Sequence, residues 1–265
     1  MKDKMHLEMH LKYLGLKTFL KNYEVFAEKA QKQKLGYAEY LYQLVQVESD
    51  EKKNRKVATL LKKSKLPYGK SLENFNITGQ PGLSASRLKE LASGDCLDHC
   101  ESILLFGVPG TGKSHLCAAL GREWCLRGRK VLYTTASALV QELLAAKRDF
   151  KLHDLIDKLD GFEALIIDDI SYVPQTRDET DVLFVLLARR YETRSVVITS
   201  NLVFSDWGNI FKDKMTTKAA IDRLVHHGTI LELVEIDGES YREREAKSKR
   251  KSQTRQVVAS TASRT

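Results

Sequence analysis

The apolar positions divide the chain into two kinds of pattern. From Leu16 onward, Leu16, Phe19, Leu20, Tyr23, Phe26, Ala27 and Ala30 recur at three- and four-residue intervals, the spacing of one helix face. A second helical pattern starts with Tyr37, Tyr40, Leu41, Leu44 and Val45, runs through the very polar stretch SDEKKNRK at 49–56 into Val57, Leu60 and Leu61, and is stopped by Pro67. Residues 1–66 therefore read as a small all-α domain with too few apolar positions to bury much of its own. A linker over 67–84, containing Gln-Pro-Gly, follows, and then the pattern changes. Short runs at Ile103–Phe106, Val131–Thr134, Ala164–Asp168, Val196–Ser200 and Ile230–Val234 are aliphatic or β-branched without alternation, as strands of a parallel sheet buried on both faces should be. Amphipathic stretches near 113–127, 137–147, 151–159, 178–192 and 216–226 lie between them. This α/β grammar fills 85–241, and a basic tail at 242–265 has almost no apolar content and is expected to be disordered in isolation.

Composition narrows the function classes. No apolar run reaches the roughly 18 to 20 residues of a membrane span, and MKDKMHLEMH lacks the apolar core of a signal peptide, which predicts a cytoplasmic protein with no membrane partner. The four cysteines, Cys96, Cys100, Cys117 and Cys125, are irregularly spaced and read as reduced thiols. A zinc site at Cys96, His99 and Cys100 would need a second close pair that the sequence lacks. The net charge of +8 is unevenly spread: Lys and Arg outnumber Asp and Glu by 16 to 8 over 1–70, trail them by 19 to 25 over 71–241, and lead by 8 to 2 over 242–265. Lysine-rich helices are often no more than solvated faces. Two basic flanks around an acidic middle favour a polyanionic partner such as nucleic acid.

The chemistry is concentrated at GVPGTGKS, residues 107–114, which fills Gly-x-x-x-x-Gly-Lys-Ser directly after a predicted strand and before a predicted helix. Gly107, Gly110 and Gly112 let the backbone wrap an anion, Lys113 can reach the β and γ phosphates of a nucleotide, and the Ser114 hydroxyl can join a Mg²⁺ shell. Asp168 ends the apolar strand Leu165-Ile166-Ile167 and takes the magnesium role. Asp169 is positioned to orient or deprotonate a water, unless it only caps the strand at a solvent edge. The strand VVITSN ends in Thr199, Ser200 and Asn201, whose polar side chains could read the γ phosphate, with Asn201 the better candidate. A guanidinium to meet charge on the transferred phosphoryl could come from Arg189, Arg190, Arg194 or Arg223, and spacing alone does not choose.

Taken together, GVPGTGKSHL, LIIDDISY, RYETRSVVITSN and IDRLVHHG, in this order behind a basic helical module and the KSLENF linker, resemble the IstB-like ATP-binding proteins, over roughly residues 7 to 247. These are helper ATPases encoded beside the transposase of a class of bacterial insertion sequences. The resemblance implies an AAA+ P-loop ATPase with a five-stranded parallel sheet and no full C-terminal lid, related to the helicase loader DnaC and the initiator DnaA. It implies ATP and Mg²⁺ as cofactors, and homo-oligomers with ATP at their interfaces. Double-stranded DNA and a cognate transposase are the implied partners. Residue by residue, it makes Gly107, Val108, Pro109, Gly110, Thr111, Gly112, Lys113, Ser114 and His115 the nucleotide loop, Asp168 and Asp169 the acidic pair, Asn201 the sensor and Arg223 a finger acting in trans. It also places Lys70 to Phe75 near the adenine and leaves only Arg242 for a second sensor. Lys147, Arg148 and Lys151 follow the second strand, where related initiators face a DNA channel. Two other readings stand beside this one: a DnaC-like replicative helicase loader acting on single strands, and a P-loop kinase for a small acceptor, against which the basic flanks weigh.

Overall fold

In a computed structural model, the described residues are 2–78, 80, 82–172, 176–202, 224 and 228–235. They form two compact units that divide between Thr59 and Leu60. The division falls inside the third helix, earlier than the boundary expected after residue 66, and Leu60, Leu61 and Leu66 pack on the core of the second unit.

The first unit contains α1 (Lys2–Tyr13), α2 (Lys17–Gln33) and most of α3 (Tyr37–Lys63). Helix α1 was not anticipated, because Met5, Leu7, Met9 and Leu11 alternate as in a strand. Only Leu11 of this helix is buried. The N-terminus of α2 has no cap from its own flanking residue, Leu16. Glu48 of α3 supplies it: one carboxylate oxygen accepts the backbone N–H groups of Thr18 and Phe19 at 2.7 and 3.2 Å, and the other accepts Arg55 at 2.8 Å. Burial alone would raise the Glu48 carboxyl. The guanidinium and the two N–H groups outweigh it and hold the group below the ordinary glutamate value.

The second unit is an open parallel sheet of β1 (Ser102–Phe106), β2 (Val131–Thr135), β3 (Ala164–Asp168), β4 (Ser195–Ser200) and β5 (Gly228–Glu232), in the order β2-β3-β4-β1-β5. Strand β5 lies two residues earlier than its apolar run suggested. Its register against β1 starts at Gly228 opposite Ser102, while the Leu233 N–H still donates to the Phe106 carbonyl at 2.8 Å. Because successive strand residues point to opposite faces, two cores result. Leu104, Phe106, Leu165, Ile167, Val196 and Ile198 face α7 (Ala136–Arg148), α8 (Leu152–Asp160) and α9 (Arg177–Arg190). Ile103, Leu105, Ala164, Ile166 and Val197 face α6 (Lys113–Leu126), α4 (Ala85–Ser93) and the linker. Helix α4 and the short α5 (Asp95–Asp98) were also unanticipated, although Ser84 caps α4 through the Arg87 N–H and Gly94 closes it in the left-handed region. Buried Trp124 fastens α6 to α4 by donating to the Leu91 carbonyl at 2.8 Å.

No helix among the described residues is long and apolar enough to cross a membrane. The four cysteines are unbridged, and the described residues contain no cluster of three or more His, Cys, Asp or Glu side chains suited to a metal. The amphipathic stretch expected at 216–226, apart from Leu224, and everything after 235 lie outside the described residues. Those include Arg223, Arg242, the expected absence of a lid and the basic tail.

Candidate functional site

The strand order decides what meets at the carboxyl edge of the sheet. Strand β4 lies between β1, which leads into the glycine loop, and β3, which ends in the acidic pair. Polar residues at the tip of β4 are thereby set between loop and acids, the crevice in which open α/β sheets bind ligands.

The loop is shaped by backbone geometry. Gly107, Gly110 and Gly112 have φ of 144°, 91° and 102°, a region that side chains disfavour. At Gly107 the need is also spatial, because a Cβ would sit 2.1 Å from the Leu233 carbonyl oxygen. Buried Thr111 donates to the Val108 carbonyl at 3.0 Å and closes the turn. Lys113 is only 6% exposed, and its Nζ donates to the Gly107 and Val108 carbonyls at 2.6 and 2.9 Å. Pro109 and Gly110 lie at the solvent side of this turn, and Ser114, the second residue of α6, is exposed beside it. His115 is buried. Its Nε2 donates to the Ser71 carbonyl at 3.1 Å, and its ring lies 5.4 Å from that of Phe75. Phe75 itself is buried in the α6-side core with Leu83 and Leu91, so it supports His115 and the linker from within. Further along α6, residues 66–71, Glu73, Asn74, Leu61 and Arg122 line a cavity of about 430 Å³.

The acids are held by side chains from neighbouring strands. Asp168 accepts the Tyr133 phenol on Oδ2 and the Thr199 hydroxyl on Oδ1, both at 2.6 Å. Burial and this bond push the Tyr133 phenol far up, so it acts only as a donor. The same Thr199 oxygen accepts the Asp169 N–H at 2.8 Å, so one hydroxyl joins both acids. Asp169 sits in the left-handed region at φ 61°, and Asn201 Nδ2 donates to its Oδ1 at 3.2 Å. Burial, then the charge of Asp168, raise the Asp169 carboxyl above the ordinary aspartate value, while Lys113 and the Asn201 bond pull it back. Asn201 is fixed in turn by Ser171, whose Oγ accepts the Asn201 N–H at 2.8 Å and lies 3.1 Å from Ser200 Oγ. Asp169 is thus part of the crevice and bonded to β4, where a mere strand cap would face solvent.

Tyr133, Thr199 and Ser171 are the members of this network to which sequence reasoning gave no role at Asp168 and Asp169. Thr199 carried a signal, as a polar residue at a strand tip. Tyr133 carried none, since only the register of β2 against β3 brings it beside the acid.

Three of the four arginine candidates serve the fold. Arg190 is fully buried and donates to the carbonyls of Leu159, Phe162 and Ser195 at 2.9, 2.9 and 3.0 Å, burial having lowered it to about 10. Arg189 pairs with Asp160 and Asp157, and Arg194 donates to the Asp160 carbonyl. Arg223 lies outside the described residues. Away from the crevice, Lys147, Arg148 and Lys151 are exposed around the turn from α7 to α8, with Lys147 paired to Asp178 at 2.8 Å.

The cradle suits a phosphate chain with a cation. Left-handed glycines, an ammonium held inside the loop, an exposed hydroxyl at a helix N-terminus and a carboxylate with lone pairs beyond its two donors are the required donor set. The sequence profile described as IstB-like ATP binding protein matches residues 9–251. An insertion-sequence ATP-binding protein of Sinorhizobium fredii is 42% identical over 92% of this chain and 81% of its own length. The ATP-binding protein of insertion sequence IS21 from Pseudomonas aeruginosa is 39% identical over 91% of this chain and 90% of its own. Among solved structures, AMPPCP-bound DnaA from Aquifex aeolicus superposes with a TM-score of 0.56 at 22% identity, covering 71% of this chain and 56% of that one. The DnaC helicase loader superposes with a TM-score of 0.52 at 15% identity, covering 63% and 97%. The fold is the AAA+ P-loop fold of these replication proteins.

Proposed function

The chain belongs to the IstB-like ATP-binding proteins encoded by insertion sequences, and from that premise we propose that it is an ATP-hydrolysing helper of transposition that assembles on duplex DNA. The observation that carries the ATPase reading is the convergence of loop, acidic pair and β4 tip on one crevice, with the two acids joined through the single hydroxyl of Thr199. The loop N–H groups and Lys113 bind the phosphates, Lys113 exchanging its contacts to the loop carbonyls for phosphate oxygens. Ser114 and Asp168 hold Mg²⁺, which offsets phosphate charge when bound. Tyr133 and Thr199 fix the Asp168 carboxylate. Asp169 takes a proton from the attacking water, and its raised affinity for protons makes it a better base than an unperturbed aspartate. Asn201 orients Asp169 and responds to the phosphate. Arg223, from the neighbouring subunit, is the source of the guanidinium, since Arg189, Arg190 and Arg194 are engaged within the fold.

ATP at subunit interfaces builds an oligomer on target DNA in the cytoplasm, the oligomer recruits the cognate transposase, and hydrolysis disassembles it. Duplex contacts run through Lys147, Arg148 and Lys151 and through the basic flanks, so binding is sequence-tolerant and falls steeply with salt. The deciding experiment measures ATP turnover and sedimentation of wild type and Asp169→Asn with no DNA, single strands and duplex. Greatest stimulation by duplex supports the transposition helper, and preference for single strands favours a helicase loader. Indifference to both rejects each. The Asp169→Asn chain should assemble and turn over about 100-fold or more slowly; normal turnover would remove Asp169 from its role.

A further inference from the structure

The turn from α7 to α8 carries an aromatic side chain in an uncommon setting. Helix α7 ends in a Schellman arrangement: the Lys151 N–H donates to the Ala146 carbonyl at 2.8 Å, and the Phe150 N–H to the Lys147 carbonyl at 3.3 Å. The left-handed position of that motif, usually glycine, is Phe150 at φ 56°. Phe150 is the one aromatic residue among the described non-glycine residues with positive φ. A bulky side chain there is strained, and packing gives nothing back, since Phe150 is 97% exposed. Its neighbours are charged. Lys147, Arg148 and Lys151 against Asp149 leave the five-residue turn with two positive charges, and Asp178 from α9 neutralises part of that by pairing with Lys147. No other large apolar side chain between 145 and 160 is exposed. A protein-docking patch would be a contiguous apolar area. A single ring held out among cations is instead the arrangement that stacks on, or wedges between, nucleic-acid bases while the cations hold phosphates.

We propose that Phe150 is a base-contacting wedge that the protein inserts into duplex DNA, locally unstacking a base step. This rests on the reading that the α7–α8 turn faces duplex DNA. It gives Phe150 a role that the phosphate contacts of Arg148 and Lys151 cannot fill, because charges hold the backbone without deforming the stack.

The test uses the full chain with a non-hydrolysable ATP analogue and a duplex containing 2-aminopurine, titrated at several salt concentrations. Phe150→Gly suits the left-handed position, so the fold is retained. It should weaken duplex binding about tenfold with an unchanged salt slope and abolish the 2-aminopurine rise, whereas Phe150→Trp should keep both. Arg148→Ala/Lys151→Ala should lower both affinity and salt slope. Wild-type affinity and 2-aminopurine signal in Phe150→Gly, with the charge variant impaired, would overturn the wedge and leave the DNA-facing turn standing. Wild-type binding by the charge variant, or no duplex binding by the native chain, would overturn that reading and the wedge with it. Loss of DNA-free assembly in Phe150→Gly would assign the ring to a protein contact and overturn the proposal.

Discussion

The glycine loop and the acidic strand tips meet in one crevice and are held by opposite means. The loop depends on backbone conformation: left-handed glycines, a Thr111 closure and the Leu233 carbonyl, just past β5, pressed against Gly107. The acids depend on side chains from other segments, with Tyr133 from β2, Thr199 from β4 and Asn201 just past it donating to their carboxylates. A defect in the loop should therefore appear first as lost shape. A defect at the tips should appear first as altered proton and charge behaviour.

The sharpest break of this contrast is Gly107→Ala. A Cβ 2.1 Å from the Leu233 oxygen forces β1 and β5 apart, and the loss should be roughly 3 kcal/mol or more in urea unfolding without nucleotide. A defect seen only with nucleotide present would show that the loop is not held by the sheet. Next in size, Lys113→Ala should keep the fold and weaken ATP binding about 100-fold by calorimetry. Thr199→Val keeps the shape of the side chain and removes its hydroxyl, depriving Asp168 of a donor and the Asp169 N–H of its acceptor. It should cost about 1–3 kcal/mol of stability and slow turnover while ATP binding is nearly kept.

The smallest effect is a pH shift, and its sign separates the acids from the loop. Asp169 holds its proton more tightly in the fold than in the unfolded chain, so its contribution favours folding below the unfolded value and is lost as pH rises through the folded value. Asp169→Asn should then be at least as stable as wild type near neutral pH, with the difference closing in acid, even as turnover collapses. The acid limb of wild-type turnover should lie above the ordinary aspartate range. A stability loss at neutral pH in the Asn variant would contradict the raised value.

The same contrast explains what was legible in the sequence. Loop residues announce themselves because the constraint acts on each position's own φ, and only glycine meets it cheaply. The five strands were legible as aliphatic runs buried on both faces, and Asp168 because it ends one of them. Tyr133 was not, since its bond to Asp168 exists only through the pairing of β2 with β3, a property of two distant segments jointly. Helix α1 was missed because its apolar residues alternate, and α4 because its N-cap, Ser84, was read as the last residue of the linker and no helical pattern was assigned between 85 and the glycine loop. Arg190 shows the converse. An arginine amid a charged run looks available to a ligand, and its burial with bonds to the carbonyls of Leu159, Phe162 and Ser195 appears only in three dimensions.

Tyr133 has a second bond that bears on how the protein is wired. While its phenol braces Asp168, its peptide N–H donates to the Ser64 carbonyl at 2.8 Å, just past the end of α3. That helix begins in the small helical unit. The peptide that closes α3 and the phenol that braces Asp168 thus belong to one residue, so Tyr133 alone joins Ser64 to the carboxylate.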